Sequence, residues 1–132
     1  MIIIEVIIEA LFAAFYSLFI MIILKPFIST QILWFCIGFS KHFIGYFIGL
    51  HTYYCKFGSA CKNRTGITAD STYIIPHSIL EGLAFAYIGY FAKEYNPYLS
   101  ITIAGFLIHI LAELSGLHKY FCSHMCKINV FI

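Results

Sequence analysis

Two glutamates and two histidines stand inside long apolar runs of this chain: Glu9 and Glu81 in the first and third runs, His42 and His109 in the second and fourth. Carboxylate and imidazole together suit a divalent cation or a path for protons, because the carboxylate supplies oxygen ligands or a proton acceptor and the imidazole titrates near neutrality. Ionisable groups are costly in a membrane interior, so four of them at matching depth mark either a functional layer or polar pairs that hold helices in register. Glu5 and His77 stand at i, i+4 from Glu9 and Glu81 and extend the polar positions toward the surface. Lys41 and Glu113 form a further expected ion pair, the long lysine stem covering the offset between their levels.

A second set of chemistry-bearing residues closes each half of the chain. His51 and Cys55 are spaced H-x3-C, as are His118 and Cys122, and each pair is followed by another cysteine, Cys61 or Cys126. Two histidines with two cysteines, or four cysteines, suit zinc in number and softness, although the spacing departs from familiar zinc patterns. Disulfides within each half, Cys55 with Cys61 and Cys122 with Cys126, are the alternative. Cys36 lies inside an apolar run and reads as a small packing residue.

These residues recur in register. At a constant offset of 67, Gly38, Phe39, His42, Gly49, Leu50, His51, Tyr53 and Cys55 return as Gly105, Phe106, His109, Gly116, Leu117, His118, Tyr120 and Cys122. At an offset of 72, Glu9-Ala10-Leu11 faces Glu81-Gly82-Leu83. The pattern is that of one helical hairpin present twice. Gly38, His42, Gly45 and Gly49 fall on one helix face, repeated by Gly105, His109, Ala112 and Gly116, and small residues on such a stripe let helices approach closely in lipid.

The elements that must position these residues are membrane helices. Of 132 residues, 61% are hydrophobic and only 11% charged, with a mean hydropathy of +0.89. A soluble domain keeps about a quarter of its residues charged, so most of this surface must face lipid. Four apolar runs approach the roughly 20 residues that a bilayer core demands, approximately Ile2 to Leu24, Phe27 to Leu50, Pro76 to Ala92 and Tyr98 to Leu117. Pro26 and Pro97 mark the two short turns, and the polar stretch from His51 to Ile75 joins the hairpins. The first run lacks a basic n-region and is too long for a signal-peptide core, so it reads as a retained helix.

The fold class expected is therefore all-α and integral to the membrane: four transmembrane helices from two parallel-oriented hairpin repeats, with a pseudo-twofold axis along the membrane normal. Within a single domain, 1–132, repeat 1 covers 1–57, a polar loop 58–75, repeat 2 covers 76–126 and a short tail 127–132. An even number of spans places both termini and the 51–75 loop on one side. Lys56, Lys62, Arg64, Lys119 and Lys127 outnumber Lys25 and Lys93 there, which favours the cytosol. Asn63-Arg64-Thr65 is a glycosylation sequon that matters only on the lumenal side.

Three function classes fit. The leading expectation is a cation or proton channel or transporter built on the Glu/His layer, with a homo-oligomer as one way to enclose a pore. The second is a b-type haem redox protein with His42 and His109 as axial ligands, and the third a structural membrane protein that assembles a partner. Cofactor expectations are accordingly a divalent metal such as zinc or, less favoured, haem b. The partner surface is the lipid bilayer. A net charge of +2 without a basic stripe argues against nucleic acid. No G-x-S-x-G, phosphate-binding glycine loop or H-E-x-x-H is present, so catalysis outside redox chemistry is not expected.

Overall fold

The apolar runs form helices whose outward faces stay hydrophobic. The computed structural model describes residues 2–61, 67–69 and 72–128, and among them the chain forms α1 (Ile2–Leu24), α2 (Thr30–Phe47), α3 (Leu50–Phe57), a short 3-10 turn (Ser59–Cys61), β1 (Ile67–Ala69), α4 (Ile74–Ala92), α5 (Pro97–Leu114), α6 (Leu117–His124) and β2 (Cys126–Ile128). The helices α1, α4 and α5 are each long and apolar enough to cross a membrane, and a fourth span results if α2 and α3 are taken together. On α1, Ile4, Ile8, Phe15, Phe19 and Ile22 are exposed while Ala10, Ala13, Ala14, Ser17 and Met21 are buried, so a stripe of mostly small residues packs inward and bulky apolar residues face outward.

Each helix packs most closely on a helix of the other hairpin: α1 on α5, and α2 on α4. Small residues make both approaches possible. A Cβ on Gly38 of α2 would stand 2.5 Å from the Glu81 carbonyl oxygen, and one on Gly105 of α5 would stand 2.6 Å from Ser17 Oγ of α1. The sequence expectation of a helix seam at these two positions therefore has a concrete geometry.

Further along the same stripe the expectation needs correction. Gly49 and Gly116 do not continue the helices but break them, with φ of +88° and +82°, where a Cβ would be strained. The second and fourth apolar runs thus end at Phe47 and Leu114, and α3 leaves α2 at a bend of 71°. The turn before α5 is built as its sequence suggests: Asn96 Oδ1 accepts from the amides of Tyr98 and Leu99, and Pro97 takes the first helical position.

The described residues form three tiers. Beside the two short turns lies an apolar core of Ile20, Met21, Leu33, Trp34, Ile37, Phe85, Ile101 and Ala104. Next along the helices come the glutamates and histidines. Beyond the glycine breaks, α3, the 3-10 turn, α6 and the antiparallel pair β1–β2 form a cap around Cys55, Cys61, Cys122 and Cys126.

Candidate functional site: two glutamate–histidine centres

Glu9, His42, Glu81 and His109 meet as two pairs, each taking its carboxylate from one hairpin and its imidazole from the other. In the first centre, where α2 packs on α4, His42 Nδ1–H donates to Glu81 Oε2 at 2.8 Å and Lys41 Nζ donates to Glu81 Oε1 at 2.9 Å. A buried carboxylate with an ammonium on one oxygen and an imidazole N–H on the other recovers much of its desolvation cost locally. Lys41 is further held where its carbonyl accepts from the Tyr16 hydroxyl at 3.0 Å, and its ammonium lies 5.3 Å from the Phe85 ring centre. The His42 ring is 4.5 Å from that of His51 and 6.1 Å from that of His77.

In the second centre, where α1 packs on α5, His109 Nε2 lies 3.4 Å from Glu9 Oε1. The carboxylate is held more tightly from elsewhere. The Ser59 amide donates to Oε2 at 2.9 Å and the Ser59 hydroxyl to Oε1 at 2.7 Å. The His109 ring packs at a tilt 4.5 Å from that of His118, whose Nδ1–H donates to Glu113 Oε2 at 2.9 Å. Burial keeps the His118 imidazole below its ordinary pKa, against the opposing pull of the Glu113 carboxylate. Glu5 stands half-buried one turn before Glu9 on α1.

Aromatic rings run from one centre to the other. His51 packs at 5.8 Å on Phe121, Phe121 at 5.9 Å on Tyr54, and Tyr54 at 5.3 Å on His118.

Two expected pairings are replaced. Lys41 does not reach Glu113. With α2 seated on α4 its ammonium meets Glu81, while the break at Gly116 turns His118 back onto Glu113. The cysteines bridge between the hairpins instead of within them, as Cys55–Cys126 and Cys61–Cys122. The cause is the packing of the cap: α6 lies against the 3-10 turn and β2 pairs with β1, so each sulfur finds its neighbour in the other half. Thiols in disulfides are not zinc ligands, and among the described residues no group of three His, Cys, Asp or Glu is placed to hold a metal ion. The two imidazoles of the haem expectation lie at different helix pairs, each engaged by its own carboxylate. Cys36 is a free, half-buried thiol. The sequon Asn63-Arg64-Thr65, with Lys62 and Asp70 of the same loop, lies outside the described residues.

Sequence reasoning missed Ser59, which no spacing rule connects to Glu9 across fifty positions. It also missed the glycine breaks, for which a signal existed: Gly-Leu-His stands at the same point of both repeats, and glycine just past a helix end is a common stop. No family model, curated protein or solved structure matches the chain.

Proposed function

We propose that the chain is a multi-pass membrane protein that relays protons through its two glutamate–histidine centres. The observation that carries this reading is that each Glu–His pair is extended by a second imidazole at the same 4.5 Å ring separation, His51 beyond His42 and His118 beyond His109. Carboxylate and imidazole groups in sequence can pass a proton from acceptor to acceptor, and such chains at membrane depth are the usual apparatus of proton transfer. His77 beside His42, and Glu113 beside His118, lengthen the two series.

The architecture in this proposal is a duplicated hairpin with a pseudo-twofold axis along the membrane normal. It is supported by the paired packing of α1 on α5 and α2 on α4, which such an axis interchanges, and by the positive φ at both Gly49 and Gly116. The disulfides bear on sidedness. Bridges persist in oxidising compartments, which favours an extracytosolic cap over the cytosolic side suggested by a small excess of lysine and arginine.

The test is proton flux into liposomes carrying a pH-sensitive dye. Glutamine keeps a hydrogen-bond donor but does not titrate, so His42→Gln and His109→Gln should each lower flux about tenfold or more while the protein still folds. Wild-type flux in both variants would leave the four residues as polar contacts between helices and overturn the proposal.

A further inference from the structure

The two carboxylates are held in different ways. Both oxygens of Glu81 accept from side chains of the neighbouring helix, Lys41 and His42. Glu9 accepts instead from a residue outside the long helices, and from both of its donors, the amide and the hydroxyl of Ser59. The Ser59 hydroxyl and His109 share one oxygen, Oε1, at 2.7 Å and 3.4 Å respectively, so the serine holds the shorter contact. Ser59 is only 9% exposed, and its position is fixed from both sides. Before it, the Gly58 amide donates to the Tyr54 carbonyl at 2.7 Å and so ties the turn to the end of α3. After it, Cys61 donates its amide to Gly58 and is bonded to Cys122 of α6.

We propose that the Ser59–Cys61 turn is a latch on Glu9, with Ser59 as a positioning residue whose two hydrogen bonds hold the carboxylate away from His109 and so set the rate of the relay through the second centre. This inference rests on the proton-relay reading above. With the latch in place the proton must cross a 3.4 Å contact, long for a charge-assisted hydrogen bond of about 2.7–2.9 Å. When the serine hydroxyl is absent, Oε1 is free to close on His109. The first centre has no such restraint, and its His42–Glu81 contact is already 2.8 Å. The Cys61–Cys122 bridge is what keeps the turn in place, so the latch answers to the cap and not to the helices.

Three variants test this in liposomes, with His42→Gln and His109→Gln measured beside them. Ser59→Ala removes one donor and should raise flux about threefold, moving the midpoint of the pH–flux profile to higher pH, because a hydrogen bond to the charged carboxylate is lost. Ser59→Thr keeps the hydroxyl and should restore both the wild-type rate and the wild-type profile. Cys61→Ser combined with Cys122→Ser frees the turn without altering Glu9 or its donors and should reproduce the Ser59→Ala profile, which keeps the test informative if Ser59→Ala folds poorly. Flux that depends on both histidines but is identical in wild type, Ser59→Ala and the double serine variant would overturn the latch and leave the relay standing. Flux indifferent to His42 and His109 would overturn the relay itself.

Discussion

The two glutamate–histidine centres share sequence motifs yet differ, among the described residues, in what holds the carboxylate. Around Glu81 the neighbours are basic: Lys41 and His42 on its oxygens, with the rings of His51 and His77 next to His42. Under the proposed repeat, position 41 aligns with Ile108, position 46 with Glu113 and position 77 with Glu5. The lysine is therefore lost in the second centre, Tyr46 is exchanged for a carboxylate, and a histidine is exchanged for a glutamate. One centre has a single carboxylate neutralised by a fixed ammonium. Among the described residues, the other sets Glu9 beside His109 and Ser59, and Glu113 beside His118, with no lysine on either carboxylate. The carboxylate of the first centre is thus paired with a fixed ammonium, and that of the second is held chiefly by the uncharged donors of Ser59.

Four measurements can break or sharpen that contrast, beginning with the largest expected effect. Removing the Cys61–Cys122 bridge by serine substitution should lower the unfolding free energy of the detergent-solubilised protein by about 3 kcal/mol, the usual scale for a disulfide, because the nested Cys55–Cys126 bridge still closes the outer loop. An equal loss on removing Cys55–Cys126, with no change at Glu9, is expected if only the first bridge holds Ser59 in place. Next, Lys41→Met should cost about 3 kcal/mol, because breaking a buried pair leaves Glu81 with one partner. The reverse exchange, Ile108→Lys, should be tolerated if the second centre lacks a compensating cation, and a loss as large as that of Lys41→Met would refute the charge contrast.

A smaller effect belongs to the glycine breaks. Gly49→Ala and Gly116→Ala should each cost about 1 kcal/mol, from backbone strain alone, since among the described residues none beyond the chain neighbours comes within 4 Å of the added Cβ. Unequal costs would show that the two halves bend for different reasons. The smallest is a pH effect at His118, whose imidazole binds its proton less readily in the folded protein than in the unfolded chain. The unfolded state then holds more protons, so stability is complete above the ordinary histidine value of about 6.5 and falls as pH drops through the lower folded value. Unfolding curves across that range should flatten in His118→Gln, and an unchanged slope would remove His118 as their source.

How much of this was legible beforehand follows from the range of each interaction. The helices were, because an apolar run with two short proline-marked turns leaves the backbone few alternatives in lipid; α1 keeps the expected bounds of Ile2 to Leu24. The pairing of Glu81 with His42 and of Glu9 with His109 was half legible. Depth along each helix put carboxylate and imidazole at one level, but which imidazole faces which carboxylate depends on whether helices pack within or between hairpins, and that is decided by the close approaches at Gly38 and Gly105. The same undetermined packing produced the wrong partner for Lys41 and the wrong cysteine pairing. Ser59 was beyond reach because its bond to Glu9 is made by a turn whose position depends on a disulfide the sequence does not specify.

The crossed disulfides have a consequence for how the molecule is made. A chain emerging from its N-terminus presents Cys55 and Cys61 long before Cys122 and Cys126 exist, the partners being 71 and 61 residues further on. Neither bridge can close until the second hairpin has been synthesised, inserted and packed against the first. Closure of the cap is thus tied to completed assembly, since each bridge takes one cysteine from either half.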